Sequence, residues 1–165
     1  MEESTISLII AVIALVVSLF VFFLNRKQMT NDEVPFSTRP LQLQAYERLV
    51  ILCERISLPN LISRLNQPGI SAREMQVFLI ETIKQEFEYN TSQQVYVSTT
   101  AWDAVRNLRD QNMLTINQVA NVLPPDAKGF ELGKQLIEVE MSQKEKAFHS
   151  IVLETLNTEA KKLMK

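Results

Sequence analysis

Two patterns of apolar and polar positions divide the chain. Residues 6–24 read ISLIIAVIALVVSLFVFFL, a run without charge, proline or glycine. From about residue 40 onward, apolar positions recur every three or four residues with polar ones between them. That is the period of helices that bury one face. The first pattern predicts a transmembrane helix, because nineteen residues at 1.5 Å each span about 28 Å, close to the hydrocarbon thickness of a bilayer. Hydrocarbon offers backbone amides no partners, so a single span has to be helical. A cleaved leader needs a basic start and small residues at its far end. Here Glu2 and Glu3 precede the run, and Phe22-Phe23-Leu24-Asn25-Arg26-Lys27 closes it. The expectation is a retained anchor.

The second pattern predicts a series of helices. Pro40 suits a first helical turn, and Leu41, Ala45, Leu49, Leu52, Cys53 and Ile56 follow at helical spacing to about Ser57. Pro59 interrupts, and Leu61, Ile62 and Leu65 form a short second helix before the turn Gln67-Pro68-Gly69. Ser71 and Glu74 have the spacing of a capping box, with Ile70 and Met75 as its hydrophobic staple. They open a helix over residues 72–89 with core positions Met75, Leu79, Ile83 and Phe87, and Phe78 alongside. Ser98 or Thr99 caps a fourth helix carrying Trp102, Val105 and Leu108 on one face. Thr115 and Gln118 form a second capping-box pattern, which predicts a separate short helix to Leu123. Pro124-Pro125-Asp126 stops that helix and caps the next, where Phe130, Leu132, Leu136, Ile137 and Val139 run to about Met141. A final amphipathic segment over 142–164 uses Phe148, Ile151, Val152, Leu156 and Leu163.

The expected fold is therefore all-α. It has an extracytoplasmic tail over 1–5, a transmembrane helix over 6–24, a polar linker over 25–39 and a compact multi-helix domain over 40–165. Scarce glycine agrees: Gly69, Gly129 and Gly133 are the only three, and tight-turned β folds and phosphate loops draw on more positive-φ positions. Arg26 and Lys27 flank the far end of the apolar run and no basic residue precedes it. The positive-inside rule then sends the N-terminus out and keeps the domain in the cytoplasm.

Charge narrows the function. Of the 19 acidic residues Glu2 and Glu3 precede the span, which leaves 17 against 17 Lys and Arg. A neutral domain lacks the electrostatic footprint of a nucleic-acid binder. Residues 114–123 and the segment after them imitate a helix-turn-helix, but Asp126, Glu131, Glu138 and Glu140 offset Lys128 and Lys134 where phosphates would dock. No nucleic acid is expected as a partner. One cysteine, Cys53, and one histidine, His149, supply no metal-ligand set, so neither a metal nor a cofactor is expected. Cys53 lies on an apolar helix face and reads as a small buried hydrophobe. His149 reads as a partly buried structural residue and Trp102 as a core anchor. Glu81, Glu86 and Glu88 at helix spacing describe a wet face. No phosphate loop, dinucleotide fingerprint, nucleophile elbow or HExxH is present in the sequence.

Two features suit partners. Within the span the small residues Ser7, Ala11, Ala14 and Ser18 share one stripe, which would let a second helix approach closely. Residues 86–98, EFEYNTSQQVYVS, combine uncharged polar side chains with two tyrosines. One reading is a connector whose side chains satisfy backbone groups, with 94–97 briefly extended. The other is a recognition surface formed by Tyr89, Asn90, Gln93, Gln94 and Tyr96. With LQLQAYERL at 41–49 and Ala101-Trp102, this stretch resembles a family of uncharacterised single-span bacterial membrane proteins with a helical cytoplasmic domain. That resemblance implies a bacterial inner-membrane setting and carries no catalytic residue. The leading expectation is a non-catalytic, membrane-tethered interaction module: an adaptor, scaffold or accessory subunit that meets the lipid bilayer and a protein partner, itself included. A membrane-linked regulator of a cytoplasmic target, nucleic acid among them, is the alternative, and an enzyme is third.

Overall fold

The structure, a computed structural model, describes residues 14–15, 18–22, 37–142 and 148–164. The chain divides into two compact units, Met1–Ser37 and Thr38–Lys165. In the first unit residues 14–15 and 18–22 are helical and exposed. The rest of the expected span lies outside the described residues, as do most of the linker over 25–39 and the tail over 1–5. No helix among the described residues is long and apolar enough to cross a membrane.

The second unit is all helical. α1 (Arg39–Ile56), α2 (Leu58–Leu65) and α3 (Ala72–Tyr89) are followed by a 3₁₀ turn (Thr91–Val95), then α4 (Thr99–Val122), α5 (Gly129–Ser142) and α6 (Phe148–Leu163). α1 packs along α6, α3 lies between α4 and α5, and α4 also meets α6. The apolar stripes read from the sequence fill the centre: Leu49, Leu52, Ile56, Met75, Leu79, Ile83, Leu108, Leu132 and Leu136 are fully buried.

Local chemistry sets the breaks. Ser57 leaves the helical region at φ −59° and ψ 138°, ending α1, and Pro59 then occupies the first turn of α2, where a missing N–H is harmless. The freed carbonyl of Ile56 accepts a buried 2.8 Å hydrogen bond from Asn112 Nδ2 of α4, satisfying one of the orphan groups every helix end leaves. Gly69 turns the chain at φ 87°, a region only glycine enters freely. The capping box closes both ways: Ser71 Oγ accepts from the Glu74 amide and the Glu74 carboxylate accepts from the Ser71 amide at 2.8 Å. The Ser71 backbone bond, then its hydroxyl, hold the Glu74 carboxyl below its usual range. Ala72 donates to the Ala127 carbonyl and Gly129 to the Ile70 carbonyl, each at 2.9 Å, forming a single antiparallel bridge between Ser71 and Lys128.

Four expectations need correction. The capping-box pattern at Thr115 and Gln118 opens nothing, because residues 99–122 form one continuous helix of 24 residues. No glycine or proline interrupts that stretch. Thr115 is half a helix deep, and its hydroxyl donates back to the Gln111 carbonyl at 2.9 Å, the bond a helical threonine makes when no free amide waits for it. The short capped helix of the helix-turn-helix reading therefore does not form. Asp126 does not begin α5, whose start is held by the Glu131 carboxylate accepting from the Lys128 amide at 2.7 Å. Residues 94–97 are not extended, since 91–95 coil into the 3₁₀ turn. Phe130 is 61% exposed rather than a core position.

Candidate functional site

The stretch expected to be either connector or recognition surface carries both buried and exposed side chains. Asn90 and Gln93 are buried. Asn90 ends α3, where its Nδ2 donates to the Glu86 carbonyl at 2.9 Å and the Thr91 hydroxyl donates to the Phe87 carbonyl at 3.2 Å. Gln93 turns inward, with Nε2 donating to Ser92 Oγ at 3.2 Å. The Asn90 and Thr91 side chains do the connector's work of occupying last-turn carbonyls. The others face outward: Tyr89 is 74% exposed, Val95 is 76% exposed, and Gln94 and Tyr96 are exposed as well. The result is an apolar and aromatic ledge whose backbone is satisfied from within.

Behind the ledge the packing is firm. Phe87 and Trp102 stack with ring centroids 5.1 Å apart, and the Arg109 guanidinium lies over the Phe87 ring at 4.1 Å. Tyr46 of α1 donates from its hydroxyl to Glu159 of α6 at 2.7 Å and accepts from the Ser98 amide at 3.2 Å. Ser98 Oγ also meets the Glu159 carboxylate. Burial, then the bond to Glu159, raise the Tyr46 hydroxyl above its usual range. This cluster ties the first and last helices of the unit to the start of α4.

Beside the ledge a groove of about 550 Å³ opens between α1 and α3, lined by Arg48, Ile51, Arg55, Thr82, Gln85, Glu86, Tyr89 and Asn90. Helical spacing creates it: Arg48, Ile51 and Arg55 share one stripe of α1, and Thr82, Gln85, Glu86 and Tyr89 share one of α3. Glu86 is the innermost charge. Its side chain is 14% exposed and lies 2.6 Å from Arg55 and 3.7 Å from Arg64. It is no member of a wet face; two guanidinium groups hold it. Arg48 has no carboxylate at ion-pair distance among the described residues. Ile51, 51% exposed, supplies an apolar floor. A second lobe of about 410 Å³ continues past Ile51, Glu54 and Arg55 onto Asn60, Ser63 and Arg64 of α2.

Tyr89 and Asn90, two of the residues expected to form a recognition surface, line this groove, and its α1 side was not named from the sequence. The signal was available. Ile51 is an apolar residue off the buried stripe of its helix, with an arginine one turn before and one turn after it. Of the small-residue stripe, Ala14 and Ser18 are helical and exposed, while Ser7 and Ala11 lie outside the described residues.

Elsewhere, Cys53 is buried, and burial followed by the charge of Glu54 pushes its thiol up to about 12. Glu140 Oε2 and His149 Nε2 are buried without a hydrogen-bond partner among the described residues. His149 Nε2 stands 3.9 Å from Glu54, and both Glu140 and His149 border a small cavity of about 30 Å³. Among the described residues no cluster of three or more His, Cys, Asp or Glu side chains is placed to hold a metal ion. A family model described as "Family of unknown function (DUF7935)" matches residues 3–163. No curated protein and no solved structure matches the chain.

Proposed function

The chain belongs to this family of unknown function, and from that premise we propose that it is a non-catalytic, membrane-tethered interaction module: an adaptor or accessory subunit whose helical domain docks a protein partner. The observation that carries the reading is the division of labour in residues 89–96. Asn90 and Thr91 occupy last-turn carbonyls and Gln93 is buried, while Tyr89, Val95 and Tyr96 are left outside beside an open groove. Large apolar side chains held in solvent on a satisfied backbone are a feature of binding surfaces.

The tether is a hydrophobic helix over residues 6–24, in a bacterial inner membrane, with the N-terminus outside and the domain in the cytoplasm. Its supports are the uncharged apolar run, the Arg26-Lys27 flank and the exposure of Leu15, Leu19, Phe20 and Phe22, each at least half uncovered by protein. Anchoring confines the domain to a plane and raises its effective concentration near membrane partners.

Purification of the tagged full-length protein from membranes in mild detergent, with mass spectrometry, tests the reading. The expected outcome is a stoichiometric protein partner that is lost when Tyr89, Val95 and Tyr96 are replaced together by alanine, with the fold intact by circular dichroism. Gln93 is left in place because it is buried. Recovery of the protein alone under conditions that preserve other membrane complexes would overturn it.

A further inference from the structure

The groove between α1 and α3 carries enough chemistry to define what fills it. Its charges do not balance. In the lobe next to Tyr89, Arg48 and Arg55 face one carboxylate, Glu86. That carboxylate is already held by Arg55 at 2.6 Å and approached by Arg64 at 3.7 Å. Arg48 is exposed and stands apart from any carboxylate among the described residues. An occupant therefore meets a guanidinium whose planar donors match a carboxylate. One helical turn further on, the half-exposed side chain of Ile51 offers an apolar contact, and the exposed ring of Tyr89 forms the opposite wall.

The backbone restricts the occupant's conformation. Every residue lining this lobe except Asn90 lies inside α1 or α3, whose backbone groups are spent within the helices up to the last turn of α3, where the Asn90 side chain takes the Glu86 carbonyl. No strand edge is offered, so an extended segment has no ladder to join. A helix satisfies its own backbone and needs only side-chain contacts. A trough between two helices of 18 residues each accepts a third by the same ridge-and-groove packing that builds the domain.

We propose that the α1–α3 groove receives an amphipathic helix of a partner protein, which sets an acidic side chain on Arg48 and an apolar one on Ile51 against Tyr89. The inference rests on the docking-module reading and specifies its partner. Arg48 supplies orientation and selects against basic helices, since a like charge placed there meets an uncompensated cation. Ile51 and Tyr89 supply the apolar contact. The Arg55–Glu86–Arg64 cluster holds the groove walls together and is already saturated.

Site-specific photocrosslinking in cells producing the full-length chain tests this. A benzophenone amino acid is placed at Gln85 in the groove, at Val95 on the ledge and at Lys134 on α5 as a distant control. The expected result is a Gln85 adduct to a protein segment with acidic residues flanking an apolar stripe at helical spacing. Arg48→Glu should lower its yield at least about tenfold, and Arg48→Lys should largely keep it, with folding of both checked by thermal melting. Three results overturn the proposal: an adduct to a basic or non-helical segment, an adduct to a second copy of the chain, or a yield indifferent to Arg48→Glu in a folded variant. An adduct at Val95 with none at Gln85 also sinks it while leaving the docking-module reading standing. No adduct at either position sinks both.

Discussion

The Cys53 thiol is fully enclosed in the core, and burial with the charge of Glu54 beside it pushes it up to about 12. Thiol reagents attack the thiolate. Alkylation of the native protein at pH 8 should therefore be at least about a hundredfold slower than in urea; equal rates would place Cys53 at the surface. Glu140 is a carboxylate whose charge the fold disfavours. Burial raises its carboxyl, and His149 opposes that only in part. For a raised acid the stabilising contribution is complete below its ordinary value of 4.5 and is lost as pH rises through the higher folded value. Glu140→Gln, locked in a neutral form, should melt higher than the parent at pH 7 and lose that advantage near pH 4. A variant that melts lower at pH 7 would mean that the charged pair with His149 outweighs burial. Much at this scale was legible in the sequence: Cys53 lay on an apolar face and His149 beside one. The role of Glu86 was not, because its two arginines come from residues 55 and 64, and no local pattern announces a long-range pair.

Helix identity followed the apolar period, and helix ends followed local chemistry where that chemistry was unambiguous. Ser71 with Glu74 named the start of α3, and Pro68-Gly69 named the turn before it. The same motif failed at Thr115 and Gln118, since a capping box acts only where the chain enters a helix from outside, and Arg109 to Leu114 contains nothing that breaks one. The spacing Gly129-xxx-Gly133 lies at the start of α5. Its role is packing within the domain. A Cβ on Gly129 would stand 2.8 Å from Ile70 Cγ1 and 3.2 Å from Met75 Sδ, and one on Gly133 would stand 3.0 Å from Ile62 Cγ2. These glycines let α5 press against α2, α3 and the turn before α3. Gly129→Ala should cost about 1–3 kcal/mol by overpacking, read as a lower urea midpoint with unchanged slope. A neutral or stabilising result would show that Ile70 swings aside. The groove is likewise a property of two helices at once. The α1 stripe of Arg48, Ile51 and Arg55 gains meaning only when α3 sets Gln85 and Tyr89 opposite it.

At the scale of the molecule, the sequence joins a charge-free apolar run to a remainder whose charges sum to zero. The neutral domain brings no general attraction to phosphate or to anionic lipid, so specificity falls to shaped features such as the ledge and the groove. Its helices are joined by short connections and tied across the chain by Tyr46, Ser98 and Glu159, which suits a rigid platform. Everything proposed for the function depends on where that platform is held. Alkaline carbonate extraction of membranes from cells producing the full-length chain tests this most directly, with a Leu15→Arg, Phe20→Arg variant as control, each arginine costing about 2.5–3.5 kcal/mol at the centre of a span. The account predicts that the chain stays with the membrane pellet and that the variant is released or degraded. Release of the unaltered chain with the peripheral proteins would contradict it.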